Sequence, residues 1–447
     1  MNKEKTVWLM NHYGANMYYN RGGRHYWFAK NLIKRGYRVF FFAANVRHNT
    51  DDIIPVKDGR FAEETLEGIR FVFVETPTYK GNKGGRVKNM YAFYRNLFPV
   101  TKRIREAYGA PDLILASSVH PLTLVAGIRI GKKLGVPCIA EVRDLWPESI
   151  VQFQGMKREG LLTKILYQGE KWIYKKADRL IFTMEGGGKY IQDQGWDKES
   201  GGPVDLEKVE HINNGIDLQA FDESIREGEF HDPDLEDPNT VKIVYAGSIR
   251  RANKLEILLK GAKYVQNHRR ETGGSKLEGA SGDIRVLVYG DGEERITLEK
   301  RCKDEGISSV IFKGKVEKSK IPFILSKADI AVLNYANHDI WKYGGSQNKN
   351  FEYLASGTPI LSTIIMGYDL IERHQAGISL EKQTAEAVGK GIMSIMNLSG
   401  EERSEMGKRA RKAAEEYDFK KLTDQLERII KETLRKGEES DHENSID

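Results

Sequence analysis

Short apolar runs alternate with stretches of helical periodicity along almost the whole chain. In the first half the runs are Val7–Met10, Val39–Ala43, Phe71–Val74, Leu113–Ala116, Cys138–Val142, Leu180–Thr183 and Val209–Ile212. Between them, His25–Arg35, Pro121–Leu134 and Leu161–Lys175 carry apolar residues at helical spacing, which predicts helices with one buried face. The second half repeats the alternation. Its runs are Ile243–Ala246, Val286–Tyr289, Val310–Phe312, Ile330–Leu333 and Ile360–Ser362, and its helices are Leu255–Asn267, Glu293–Glu305, Lys320–Lys327 and Asn350–Ser356. Strand–helix alternation of this kind predicts parallel sheets covered on both faces. Periodicity disappears in the acidic, proline-containing stretch Asp222–Asn239, just after Asn213-Asn-Gly-Ile-Asp217, so the chain is expected to divide there. The expected architecture is α/β: two Rossmann-like, doubly wound domains facing a central cleft, because ligands sit at the carboxyl ends of parallel strands.

A length of 447 residues also favours two domains over one core. Charged residues make up 30 % and hydrophobic ones 40 %, and a net charge of +6 suits anionic small substrates or a membrane surface. No zinc-finger, RNA-stacking or helix-turn-helix signature accompanies the basic balance, so no nucleic-acid partner is expected. Cys138 and Cys302, the only cysteines, are far apart and lack metal-ligand spacing; a reducing, cytoplasmic setting is expected. The first residues do not read as a signal peptide and no segment approaches the ~20 apolar residues of a membrane span. Any membrane contact is therefore expected to be peripheral, on the inner face. Gly273–Gly282 reads as a flexible loop and 437–447 as a disordered tail.

The stretch Tyr343-Gly-Gly-Ser-Gln-Asn-Lys-Asn-Phe-Glu352 reads as a glycine loop running into a helix. Unpaired backbone N–H groups and the helix dipole at such a start suit a phosphate. Gly344, Gly345, Ser346 and Asn348 would line it, Lys349 adds a cation, and Glu352 can accept from sugar hydroxyls. After the run Ile243–Ala246 come Gly247, Ser248, Arg250, Arg251 and Lys254, three cations at a turn that can surround a diphosphate and stabilise it as a leaving group. Gly290, Asp291 and Gly292 repeat the strand–glycine–helix design, and Lys315 follows a run whose backbone can meet a nucleobase. In the first half, Gly22, Gly23 and Arg24 precede a helix and can meet the diphosphate or sugar from the opposite wall. His120 follows a strand end and is either a partner for a sugar hydroxyl or a helix-start residue. Arg143 and Asp144 either pair with one another or face the cleft. The segment Lys80–Arg105 mixes cations and aromatics, as a solvated face does and as a surface resting on anionic lipid or holding a lipid-linked diphosphate also does.

Together these residues resemble the family-4 retaining glycosyltransferases of the GT-B fold. Ala246-Gly-Ser, Tyr289-Gly-Asp-Gly292, Phe312-Lys-Gly314, Lys327-Ala-Asp329 and Phe351-Glu-Tyr-Leu-Ala-Ser-Gly-Thr-Pro359 stand in that family's order. Asn11-His-Tyr, Arg24-His-Tyr-Trp-Phe-Ala29, Thr76-Pro-Thr-Tyr-Lys-Gly81 and Glu141-Val-Arg-Asp-Leu-Trp-Pro147 look like its WbuB-like branch, and the likeness runs from about residue 5 to 430. It implies an acceptor domain over 1–212, with a helix at about 415–436 packing back on it, and a donor domain over 213–414. It also implies a nucleotide-sugar donor, most readily a UDP-sugar, and a glycan or lipid-linked acceptor of cell-surface polysaccharide synthesis. Glu352 matches the glutamate that holds the ribose, and His120 the histidine near the transferred sugar. The chain departs from the family at Gly344, where a first glutamate is usual, and at Ser248 and Asn253, which align with the usual phosphate-binding Arg and Lys.

The resulting expectation is a retaining transferase with no cofactor and no metal, since no Asp-x-Asp motif sits in a donor loop. The catalytic candidates are His120, Arg250, Arg251, Lys254 and Lys349; the acceptor-side candidates are Arg143 and Asp144. Two alternatives share the fold: a nucleotide-sugar epimerase, and a non-catalytic scaffold subunit.

Overall fold

Continuous apolar runs become strands buried on both faces, as in β1 (Thr6–Asn11), where every residue is buried. The computed structural model describes residues 4–48, 50–57, 59–81, 83–271 and 283–443, without the side chains at 83, 154, 269–271 and 437–443. The chain divides into two compact units, Met1–Asn213 with Phe419–Asp447, and Asn214–Asp418. The expected loop at 273–282 lies outside the described residues.

The first unit continues with β2 (Arg38–Ala44), β3 (Phe61–Leu66), β4 (Ile69–Val74), β5 (Leu113–Ser117), β6 (Cys138–Val142), β7 (Arg179–Phe182) and β8 (Val209–His211). Their order is β3-β4-β2-β1-β5-β6-β7-β8, with Val7 in register with Val39 on one side and Leu113 on the other. All neighbours are parallel except β3 and β4. That antiparallel pair departs from the all-parallel expectation. Its cause is the two-residue turn Glu67–Gly68, both at positive φ (50° and 83°), which suits a tight hairpin.

The second unit contains β9 (Thr240–Ala246), β10 (Asp283–Tyr289), β11 (Val310–Gly314), β12 (Ile330–Leu333), β13 (Ile360–Ser362) and β14 (Gly377–Ser379), ordered β11-β10-β9-β12-β13-β14 and parallel throughout. Each unit is thus a Rossmann-like doubly wound sheet. Strand order reverses between β1 and β5 in one and between β9 and β12 in the other, and such switch points open a crevice at the strands' carboxyl ends.

The C-terminal helix Phe419–Glu443 belongs to the first unit. Phe419, Leu422, Leu426, Ile429 and Ile430 recur every three to four residues and enter the core around Leu9, Phe28 and Phe41. Each such side chain contributes about 1.5–3 kcal/mol when fully buried. The rings of Phe28 and Phe419 lie 5.6 Å apart, and Arg35 bonds Asp424 and Glu427 at 2.7 and 3.0 Å. The helix runs on through Glu443, into the stretch expected to be a tail. Residues 444–447 lie outside the description. Among the described residues no helix is long and apolar enough to cross a membrane.

One carboxyl in the first core stays protonated near neutral pH. Glu170 is buried on the helix Leu161–Lys176 and accepts from Tyr174 Oη at 2.6 Å and Tyr190 Oη at 2.8 Å. Burial pushes its carboxyl up to about 8 against the downward pull of both tyrosines. The folded state therefore holds this proton longer than the unfolded chain does, so this contribution to stability is complete below about pH 4.5 and falls until about pH 8. Glu170→Gln keeps an acceptor for the tyrosines without the ionisation. Urea denaturation of the variant should show a flatter decline in stability between pH 5 and 8 than the native chain; parallel declines would place the titrating group elsewhere.

Candidate functional site

The glycine turn after β9 packs backbone closely against backbone. Gly247, at φ 153°, donates its N–H to the carbonyl of Tyr289 at 2.8 Å. A Cβ on Gly290 would stand 1.8 Å from the Gly247 carbonyl oxygen, and one on Gly292 would stand 2.2 Å from that of Ile249. These positions accept only glycine because backbone meets backbone. The three glycines bring the ends of β9 and β10 together beside the switch point.

Into this turn comes Lys349, from the first turn of the helix Asn348–Ser356. A Cβ on Gly247 would lie 2.2 Å from Lys349 Cε, so the missing side chain there is what admits the lysine. Lys349 Nζ donates to Tyr245 Oη at 2.7 Å and stands 4.2 Å from that ring's centroid and 5.5 Å from that of Tyr335. No carboxylate lies within ion-pair distance of it among the described residues. Burial pushes the ammonium down to about 7, with Glu352 pulling the other way. A largely desolvated cation with aromatic neighbours and no carboxylate at ion-pair distance among the described residues suits an anionic ligand.

The other second-unit candidates divide. Glu352 is largely covered and stands 3.3 Å from the exposed Lys318 ammonium. Ser248 donates to buried Asn253 at 3.2 Å, so the two positions where cations are usual instead bond one another. Arg250 and Arg251 are exposed, Arg251 reaching to 3.9 Å from Glu294, and Lys254 is half-buried at φ 46°. Gly344 (φ 88°) starts the loop, whose end at Gln347 leaves the helix without a side-chain cap. Ser346 accepts from the Asn214 backbone at 2.7 Å, tying that loop to the 213–217 stretch, whereas Asn348 is exposed and Gly345 packs against Met366 and Gln347. Asp291 turns back to the N–H of Gly292 at 2.8 Å, and Lys315 is exposed after Gly314.

In the first unit the structure builds a buried polar network. Glu141, on β6, accepts from Arg24 Nε at 2.8 Å, from His25 Nε2 at 2.6 Å and from Ser117 Oγ at 2.7 Å. Asn11 Nδ2 donates to His25 Nδ1 at 2.9 Å. With one nitrogen accepting and the other donating, His25 is a neutral imidazole, and burial pushes its ionisation down. Burial works to raise the Glu141 carboxyl, but Arg24 beside it holds it well below the usual range. The remaining Arg24 nitrogens donate to the carbonyls of Ile212, at 3.0 Å, and Asn213. This corrects the reading of Arg24 as a donor contact: its guanidinium is buried and its ends are committed to the chain. Gly23 (φ 99°) turns the backbone into the helix Arg24–Lys34, and Gly22 precedes it.

His120 is both helix-start residue and strand-end histidine. It precedes Pro121–Leu134 without capping it, and its Nε2 lies 2.8 Å from His12 Nδ1 at the β1/β5 switch point. Burial, then Arg86, pushes its imidazole down to about 3, and its Nδ1 bonds to nothing among the described residues. Arg143 takes Ser118 Oγ on its backbone N–H at 2.9 Å, its Nε is buried without a bond among the described residues, and Asp144 is exposed. The residues that sequence reasoning passed over are Glu141, His25, Ser117, His12, Tyr245 and Tyr335. His12, His25 and Glu141 stand in the motifs quoted above but were given no role there, and the remaining signal was position, since most of the six stand at or just past strand ends.

Comparison with known proteins divides the chain in a similar way. Residues 26–220 match the family described as Glycosyltransferase Family 4, and residues 227–413 match Glycosyl transferases group 1. The D-inositol 3-phosphate glycosyltransferase of Pseudarthrobacter chlorophenolicus is 24% identical over 275 residues, or 59% of this chain and 57% of that protein. The chain thus spans under two thirds of that relative. Sucrose-phosphate synthase from Thermosynechococcus elongatus superposes with a TM-score of 0.69 at 15% identity, over 97% of this chain and 100% of that one. Anabaena HepE in complex with UDP does so at 0.61 and 13%, over 96% and 100%. At such identities the likeness is one of fold.

Removing Glu141 strands a buried guanidinium, so Glu141→Ala is expected to cost about 3–5 kcal/mol in chemical denaturation. The paired replacement Arg24→Met with Glu141→Leu should cost much less, since no charge is left unpaired. Equal losses for the single and double variants would mean that packing, not charge pairing, holds this region.

Proposed function

Because the chain joins a family-4-type domain to a group-1-type glycosyltransferase domain in a GT-B fold, we propose that it transfers a sugar from a UDP-sugar to a glycan or lipid-linked acceptor. The product belongs to cell-surface polysaccharide synthesis, configuration is retained, and no metal takes part. The observation that carries this reading is Lys349 on the Gly247 turn, a cation held against aromatic rings with no carboxylate at ion-pair distance among the described residues. Fold neighbours solved with UDP and with UDP-2-fluoro glucose support the choice of nucleotide.

In this mechanism the bond between the anomeric carbon and the diphosphate oxygen breaks, and its electron pair stays on the phosphate. Lys349, with Arg250, Arg251 and Lys254 at the rim, offsets the charge that grows there, which is the part of the reaction that preorganised cations accelerate. The acceptor hydroxyl adds to the same face of the sugar and gives its proton to the departing phosphate. Glu352 holds the ribose hydroxyls. In the first unit, His120 is assigned to the sugar, and Arg143 and Asp144 to the acceptor.

Glu352→Ala should weaken UDP binding by roughly ten- to a hundredfold, the loss of charge-assisted hydrogen bonds worth about 1.5–3 kcal/mol. Lys349→Ala should lower turnover more than ground-state donor affinity. Because the Lys349 ammonium titrates near 7, calorimetric UDP affinity should fall as pH rises through neutrality, and Lys349→Arg should remove that fall. A native affinity independent of pH between 6 and 8.5, or full activity of Lys349→Ala, would take Lys349 out of the site.

A further inference from the structure

The helix Leu161–Lys176 buries Thr163, Tyr167, Glu170, Ile173 and Tyr174 against the first core, and a surface helix then places polar residues opposite. Its first turns do the reverse. Leu161, Leu162 and Ile165 are 77%, 61% and 59% exposed, and Phe153, just before the connecting turn, is 37% exposed. Exposed cations surround these four: Lys157, Arg158 and Lys164. Glu159 lies 3.4 Å from Lys164, and the buried Glu148 lies 3.4 Å from Arg158, which leaves the patch with a cationic balance.

This patch continues into a second one. The helix Pro121–Leu134 packs against both Leu161–Lys176 and Lys83–Tyr108. Arg129 on it donates to Tyr94 Oη on one side and lies 5.8 Å from the Trp172 ring on the other. Tyr91, 57% exposed, stands 6.2 Å from Tyr94, and near it Val87 is 63% exposed beside exposed Arg86, Lys88 and Arg95. Apolar tips, amphipathic aromatic rings and flanking cations thus run across three adjoining helices of the first unit.

We propose that this face is a membrane-docking surface in which Phe153, Leu161, Leu162 and Ile165 insert into the acyl boundary of an anionic bilayer, while Arg86, Lys88 and Arg95 rest on its headgroups. The charge selects this occupant. A second copy of the same face would set cations against cations, whereas anionic headgroups complement them and the apolar tips leave water together. Insertion also separates this surface from a merely basic one, since attraction by charge alone is screened by salt. The inference rests on the lipid-linked form of the proposed acceptor, which would reside in that bilayer.

The test uses the full-length protein with phosphatidylcholine vesicles carrying increasing phosphatidylglycerol. Co-sedimentation should rise with anionic lipid and persist in part at high salt. Leu161→Ser, Leu162→Ser and Ile165→Ser together should lower partitioning at least about tenfold and abolish what remains at high salt. Leu162→Trp should be quenched by brominated acyl chains. UDP-induced thermal stabilisation serves as the control for fold and donor site, and should be the same in the native chain and the serine variant. Failure of UDP to stabilise either protein, with vesicle binding intact, would overturn the donor reading and leave the surface standing. No native binding to anionic vesicles, binding indifferent to the serine substitutions, an unquenched Leu162→Trp, or a native dimer that those substitutions dissolve would each overturn the docking surface.

Discussion

Glu141 is a carboxylate with almost no access to water, and the first unit is organised around meeting its demands. A buried charge without partners costs several kcal/mol, so its neighbours have little freedom. Arg24 and Ser117 bond it directly, and Asn11 reaches it through His25, so the ends of β1, β5 and β6 are pinned to the start of the helix Arg24–Lys34. The same arginine fastens the carbonyls of Ile212 and Asn213, where the chain leaves the unit. His12 follows Asn11, and His120 stands three residues beyond Ser117. These two histidines, which meet at the switch point, thus lie on the strand ends that the carboxylate pins.

The second unit meets the same topological problem chiefly with glycine. Its strand ends approach through missing side chains, since Gly290 and Gly292 lie where any Cβ would strike the backbone of Gly247 or Ile249. The space above Gly247 then receives a cation from a different element. That lysine is held by Tyr245 and by ring faces, interactions that orient an ammonium without neutralising it. Glycine at 247 and lysine at 349 are thus two halves of one device. Either residue alone reads as ordinary loop chemistry.

The strands and most helices were legible because they are buried on both faces or one, and such burial leaves a period in the sequence. β3 escaped notice since Phe-Ala-Glu-Glu-Thr-Leu at 61–66 carries neither an apolar run nor an alternation, and at the sheet edge none of its residues is fully buried. The helix Lys83–Tyr108 was read only as a charged segment, its periodicity masked by Gly84, Gly85, Pro99 and many cations. The donor-side glycines were legible as local motifs next to strand ends. The Glu141 network was not, because Arg24 and Glu141 meet across 117 residues and nothing local marks the pair. Arg24 was misread for the same reason: a cation beside two glycines resembles a phosphate contact until its partners are known.

The placement of cations in the second unit decides which of them can matter most. Arg250 and Arg251 are exposed, so water and salt screen them, and exposed charge pairs are typically worth about 0–1 kcal/mol. Lys349 is largely removed from water, and there the same charge acts more strongly on an incoming anion. The cost of that strength is an ammonium that gives up its proton near neutral pH. A guanidinium would keep its charge but carries it on a wider planar head, spread over three nitrogens. Lysine is compact enough to enter. The turn therefore trades permanence of charge for proximity to the strand ends, and Glu352, one turn further along the same helix, offsets part of the loss by favouring the protonated lysine.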